Sequence, residues 1–352
     1  MSFDSQEVSV RLRQQIEASG PISVAEYMRV ANTAYYGRAD PLGAEGDFIT
    51  APEISQMFGE MVGIWLSALW LRHRPARCHY VELGPGRGTL AADALRTMQR
   101  FGWTPSVHFV ENSPALRAKQ LQAVPDAMFH DTLESLPTDA PLVVVANEFF
   151  DALPVRQMVA TQVGWRERVV VRNNETGFAA MPGVTATDDL IPEQFRSAAL
   201  GSIYEVCPDA SSIMQQLSAR LAQQGGVMLV IDYGYTQPAL GDTVQAIQSH
   251  QYADPFTNPG QLDLTAHVDF FELSNCAKKH GLLVAGPNDQ GAWLSGLGID
   301  QRAQILASAN PDRAADMIAA RNRLVAPDAM GTLFKVLAAY THDWPQPEGF
   351  GL

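Results

Sequence analysis

Two groups of residues in this 352-residue chain have types and spacings that do chemistry. The first is Glu82-Leu83-Gly84-Pro85-Gly86-Arg87-Gly88-Thr89, an acid followed by three glycines at alternate positions. Glycine lets the backbone pass close to a ligand, and a helix starting at Thr89 would add free N–H groups and a partial positive charge. A dinucleotide turn wants G-x-G-x-x-G, and its third glycine would fall at 89, where Thr89 stands. A structural strand-to-helix turn with no ligand is the plain alternative. The second group is Asn147-Glu148-Phe149-Phe150-Asp151. Glu148 and Asp151, three apart, can meet on one side of a turn. Two carboxylates suit a guanidinium, whose five donors form a planar fork. An acidic loop capping the next helix, with Phe149 and Phe150 in the core, competes evenly with that reading.

Other candidates fall around these two. Glu111 comes 27 residues after Gly84. An acid there can accept from both hydroxyls of a ribose, which supports a nucleoside without choosing its class. Asp131 is placed to reach an adenine amino group, although His130-Asp131-Thr132 reads equally as a turn with a cap. Asn147 can meet either cofactor or acceptor. Phe150, Tyr233 and His267 are candidates to line a substrate slot, with core packing the bland alternative for Phe150 and Tyr233 and a plain helix-start histidine the alternative for His267.

The elements that must position these residues alternate. Strands are expected at 80–83, 107–111, 127–130, 142–147, 227–232, 282–284 and 332–340, with helices at 89–100, 114–123, 211–223 and 266–280 between them. Residues 142–147 (LVVVAN) form a continuous apolar run of the kind buried on both faces. Such repeats argue for an open, mostly parallel α/β sheet, whose ligands bind beyond the carboxyl ends of the strands. Before the sheet, Val8, Leu12 and Ile16 recur at helical spacing, and Ser23 with Glu26 has capping-box spacing. Residues 35–47 are a Gly/Pro-rich loop, and 35–54 is a candidate lid. A helix then runs to about residue 72, with Thr50 or Ser55 as its cap and Phe58, Met61, Trp65 and Leu69 on its buried face. Residues 157–178 suggest a hairpin turning at 173–177, and Thr265 suggests the cap of the 266–280 helix. The organisation expected is an N-terminal helical extension and lid over 1–75, a core over 76–342 with insertions near 156–200 and 292–328, and a tail over 343–352. The hairpin at 157–178 and the helical piece at 292–328 are candidate protein-docking or homodimer surfaces, with simple elaboration of the fold an equal alternative.

Composition narrows the classes. Hydrophobic residues are 46% and charged residues 18%, enough for a sizeable core. A net charge of −13 disfavours nucleic acid as a partner. Cys78, Cys207 and Cys276 are odd in number and far apart, so neither a disulfide framework nor a zinc ribbon is supported. The scattered histidines argue no metal site. No stretch is apolar enough to span a membrane, since Glu60 interrupts the longest candidate, 57–71. The N-terminus reads as neither signal nor transit peptide, which suits a cytoplasmic, bacterial-type protein.

Six segments carry a family resemblance: 46–60 (GDFITAPEISQMFGE), 81–90 (VELGPGRGTL), 146–154 (ANEFFDALP), 231–235 (IDYGY), 263–270 (DLTAHVDF) and 330–337 (MGTLFKVL). In this order, over nearly the whole chain, they resemble the MidA-like methyltransferases. These are relatives of the mitochondrial complex I assembly factor that dimethylates an arginine. The E-x-G-x-G-x-G spacing resembles the first motif of class I S-adenosyl-L-methionine (SAM) methyltransferases. The resemblance implies a Rossmann-like class I fold with a seven-stranded, mostly parallel sheet whose last strand is antiparallel. It implies SAM as cofactor and protein arginine N-methylation, with a quinone-site subunit of complex I as the acceptor of the mitochondrial member. By position, Gly84, Gly86, Gly88 and Glu111 would hold SAM, and Asn147, Glu148 and Asp151 would sit at the methyl-transfer site; Glu82, Asp131 and Thr50 are further candidates to bind the cofactor. Asn112 departs from the pattern, where a small or apolar residue is expected. Two other functions stay open: a SAM methyltransferase for a small molecule or another peptide group, and a non-catalytic assembly factor.

Overall fold

Buried strands give the glycine turn its frame. The computed structural model describes residues 5–37, 50–173, 177–248 and 251–351. The chain divides into two compact units whose segments interleave. One comprises Ile49–Phe150, Ile213–Thr236 and Phe270–Leu352, and the other Met1–Phe48, Asp151–Ser212 and Gln237–Asp269.

The first of these holds the strands β1 (His79–Leu83), β2 (Ser106–Val110), β3 (Met128–His130), β4 (Leu142–Asn147), β5 (Gly226–Tyr235), β6 (Leu283–Asp289) and β7 (Phe334–Tyr340). Their order across the sheet is β6-β7-β5-β4-β1-β2-β3. Neighbours from β5 to β3 are parallel, while β7 runs antiparallel to both β5 and β6. The sheet is thus mixed. It counts eight strands once a two-residue segment paired with β5 is included, which corrects the seven-stranded expectation. Every residue of β1 and β4 is buried, as strands covered on both faces require.

Register brings the chemistry to one edge. Leu83 lies opposite Val110 and Ala146, and Asn147 lies opposite Ile231. Gly84, Glu111 and Glu148, which follow their strands, and Asp232, the residue after the last pair of β5 with β4, therefore share the carboxyl edge of the parallel strands. Against the sheet pack Phe58, Met61, Trp65 and Leu69 of the helix Gln56–His73, all buried. Ser55 caps that helix by accepting from Met57 N–H at 3.2 Å. Glu60, the acid that interrupts its apolar run, is buried and takes Arg302 in a fork, with both contacts at 2.7 Å.

The other unit is built on antiparallel pairing. Arg156–Thr161, Gly164–Asn173 and Gly177–Ala186 form successive strands, with Ile203–Val206 and Ile22–Ser23 added to the sheet. Residues 157–171, expected as one strand, reverse at 162–163, where Thr161 pairs with Gly164. The turn expected at 173–177 falls on residues 174–176, outside the described residues, as does most of the candidate lid, at 38–49. Val8, Leu12 and Ile16 are buried with Tyr27, Met28 and Phe178. Ser23 accepts from Glu26 N–H at 3.1 Å, as its capping-box spacing predicts. Thr265 is a strand residue, opposite Gln245, and the helix expected at 266 begins at Phe270. Sheet pairing takes the Thr265 backbone, so it caps nothing. Among the described residues no helix is long and apolar enough to cross a membrane, and no cluster of metal-ligating side chains occurs.

Candidate active site

The glycine turn has the backbone its sequence demands. Gly84, Gly86 and Gly88 have φ of 56°, 56° and 82°, the left-handed region that side chains rarely adopt. At Gly84 a Cβ would stand 2.9 Å from the Phe149 ring. Gly88 opens the helix Thr89–Arg100, and no side chain caps that N-terminus. Behind the turn Glu82 is buried, with Tyr80 Oη donating to its Oε2 at 2.5 Å. Burial pushes its carboxyl up to about 7, and the Tyr80 hydrogen bond opposes the shift.

Beyond β2, Glu111 is tied to the turn and to Asp131. Its Oε1 accepts from Ser113 N–H at 2.8 Å, and its Oε2 accepts from Gln120 Nε2 at 3.1 Å. The same Gln120 nitrogen donates to the Gly86 carbonyl at 2.8 Å. Arg117 donates to the Glu111 carbonyl through Nε at 2.7 Å and to Asp131 Oδ1 at 2.5 Å. The structure thus brings together Gly86, Glu111 and Asp131, and it adds Gln120 and Arg117, which sequence reasoning missed. Polar residues on an amphipathic helix read as a solvated face, so only their three-residue spacing after the Glu111 strand end hinted at them.

At the end of β4 the backbone is strained. Glu148 has φ 49°, a left-handed conformation unusual for a residue with a long side chain. Its Oε1 accepts from Asn147 Nδ2 at 3.2 Å and from Ala51 N–H at 3.1 Å. The short helix Ala51–Ile54, with Thr50 at its N-cap, therefore starts against this carboxylate. Two residues after Ala51, Glu53 accepts from Thr89 Oγ1 at 2.5 Å. Fully buried Asp232 pins the turn: it accepts from Phe149 and Phe150 N–H at 3.2 and 3.0 Å and from Tyr233 N–H at 3.0 Å. Phe150 is buried edge-on to Phe149, and Tyr233 is buried edge-on to Phe334. Asp232 and Glu53 were not singled out from the sequence, because nothing in residue type distinguishes a pin from a solvated acid.

Two predicted residues belong to the other unit. Asp151 is buried there, with its carbonyl accepting from Ala266 N–H at 2.9 Å. His267 donates its backbone N–H to Thr243 Oγ1 at 2.9 Å, and burial lowers its imidazole below the usual range.

An α/β sheet of this strand order, with a glycine turn and a carboxylate at the next strand end, defines the α/β methyltransferase fold. The chain belongs to the S-adenosyl-L-methionine-dependent methyltransferases, whose family model matches residues 61–288. A Danio rerio relative, protein arginine methyltransferase NDUFAF7, mitochondrial, is 36% identical over 363 residues, covering 92% of this chain and 84% of its own. The Homo sapiens protein of the same name is 35% identical over 94% of this chain and 82% of its own. The structure is similar, at a TM-score of 0.86 and 26% identity, to a Burkholderia thailandensis superfamily member bound to S-adenosyl-homocysteine, covering 98% of this chain and 94% of that one. The enzyme is a SAM-dependent methyltransferase.

The residues at the sheet edge fit that cofactor. Gln120 Oε1 and Asn147 Oδ1 are buried acceptors with no hydrogen-bond partner among the described residues. The uncapped helix N-terminus adds donors. A buried acceptor left unsatisfied is costly, and a ligand carrying hydroxyl and amino donors relieves that cost.

Proposed function

We propose that the chain is a protein arginine N-methyltransferase, with the methyl-transfer site at the end of β4. The observation that carries this reading is Glu148, whose backbone is left-handed and whose carboxylate accepts from Asn147 Nδ2 and Ala51 N–H beside the glycine turn. The name of the curated relatives, which match more than nine-tenths of the chain, supports it. In this reading Gly84, Gly86, Gly88, Glu111 and Asp131 bind SAM, with Glu82 and Thr50 behind and beside them. When bound, the cofactor supplies an already activated methyl group, so the protein's task is alignment and exclusion of water.

A guanidinium stays protonated at neutral pH. Glu148 would accept its N–H groups, draw positive charge toward the carboxylate and leave the far nitrogen the better nucleophile. Asp151 is the second carboxylate proposed, on the grounds of its place in the chain. The proton released on transfer would pass to one of the two. The acceptor proposed is a protein arginine, with a complex I subunit the first to test.

Glu148→Gln keeps an oxygen for Ala51 N–H and Asn147 Nδ2 and removes only the charge. Glu148→Gln and Asp151→Asn should each lower arginine methylation about 100-fold, while calorimetry shows S-adenosyl-homocysteine binding close to wild type. Wild-type methylation by both variants would remove these roles.

A further inference from the structure

The helix Pro114–Ala123 grips Glu111 at both ends. Arg117 and Gln120 are three residues apart, so they share a helix face. Arg117 takes the Glu111 main chain through its carbonyl, and Gln120 takes the side-chain carboxylate. Each then reaches a second residue of the nucleoside site: Arg117 reaches Asp131, and Gln120 reaches the carbonyl of Gly86. Gln120 is completely buried. Its orientation is fixed, because both neighbours of Nε2 are oxygens that only accept. Flipping the amide would set oxygen against oxygen twice. The same constraint leaves Oε1 buried without a partner among the described residues. A fold that needed only a space-filler here would do better with an apolar side chain, which strands no acceptor. Arg117 also lies over the Phe129 ring at 5.4 Å, which holds its guanidinium plane while it bridges two acceptors.

We propose that Gln120 and Arg117 are positioning residues for the cofactor. They lock the Gly86 carbonyl, the Glu111 carboxylate and the Asp131 carboxylate into one arrangement before the nucleoside arrives. Neither residue has to touch the reacting atoms. Their effect is on cofactor affinity, and part of it passes through Glu111. The inference rests on SAM as cofactor and not on arginine as acceptor, so binding measurements test it whatever the methyl acceptor is.

The test is calorimetric titration of the full chain with S-adenosyl-homocysteine, with thermal melts run alongside. Gln120→Met should weaken binding about tenfold in the wild-type background and by a clearly smaller factor in Glu111→Ala, since part of its contribution acts through that carboxylate. Equal factors in the two backgrounds would overturn the proposal. So would wild-type affinity in a Gln120→Met protein that merely melts lower.

Two conservative variants keep the test decisive if the methionine variant folds poorly. Gln120→Glu places two carboxylates together, one of which must be protonated for the hydrogen bond to re-form. Its affinity should be poor near about pH 8 and recover toward about pH 6, whereas a purely structural defect would show no such recovery. Arg117→Lys keeps the charge but cannot span two acceptors with a rigid fork. It should bind more weakly than wild type and more tightly than Arg117→Met; affinity equal to wild type in both Arg117 variants would overturn the role assigned to Arg117.

Discussion

Glu82 shows what residue type reveals at this site and what it hides. Its place before the glycines is legible, because an acid ending an apolar run at a strand terminus is a recognisable pattern. Its protonation is not, because that depends on burial and on the Tyr80 hydroxyl two residues back on the same face. With the folded carboxyl at about 7, against 4.5 as its ordinary value, the native state holds one more proton than the unfolded chain between those pH values. Stability contributed by this group therefore falls as pH rises through that window. Glu82→Gln should remove the fall: relative to wild type, the variant gains on the order of 3 kcal/mol between about pH 4.5 and 7.5, read from urea unfolding at a series of pH values. A difference that is flat with pH would place the proton elsewhere. The glycines were legible for a related reason, since three alternate glycines announce left-handed backbone. Glu148 adopts the same backbone at φ 49° with no such announcement, because nothing in a glutamate predicts strain.

At the scale of elements, the strands were readable wherever both faces are buried. β4 is a continuous apolar run, β1 is a short apolar run interrupted by Glu82, and both lie within one residue of expectation. Boundaries failed where tertiary pairing overrode local signals. Thr265 has the residue type of a cap, yet its backbone pairs with Gln245, so the helix waits until Phe270. The chain at 157–171 is β-prone throughout, and its reversal at 162–163 rests on one glycine, Gly164, with φ 96°. The helical stretch near 292–328 gave no hint of its anchor. Arg302, on Ile299–Ala309, reaches the buried Glu60 of Gln56–His73. Removing the arginine would leave the buried carboxylate, among the described residues, only Gln56 Nε2 at 3.3 Å and the Arg96 guanidinium at 4.0 Å. Arg302→Met should cost about 3 kcal/mol in denaturant unfolding, and Glu60→Gln with Arg302→Met should cost less than the sum of the single changes. Additive costs would mean that the pair is not coupled.

At the scale of the whole molecule, the interleaving of two units was not legible. Linear reading assigns contiguous domains, and nothing local shows that residues 151–212 and 237–269 fold with the N-terminal segment. What was legible was chemistry spread over distant segments: a glycine turn, an acid after the next strand, and an amide–carboxylate pair after the fourth. These residues share one sheet edge because the parallel register aligns the strand ends. The reaction proposed for this edge is transfer of a methyl group from SAM to a protein arginine. The most direct measurement is mass spectrometry of methylated arginine in cells with the gene, without it, and with Glu148→Gln in its place. A protein arginine should be methylated only with the wild-type chain and unmodified in both other strains. A proteome whose arginine methylation is identical in all three, with the purified enzyme consuming SAM on another acceptor, would contradict the proposed reaction.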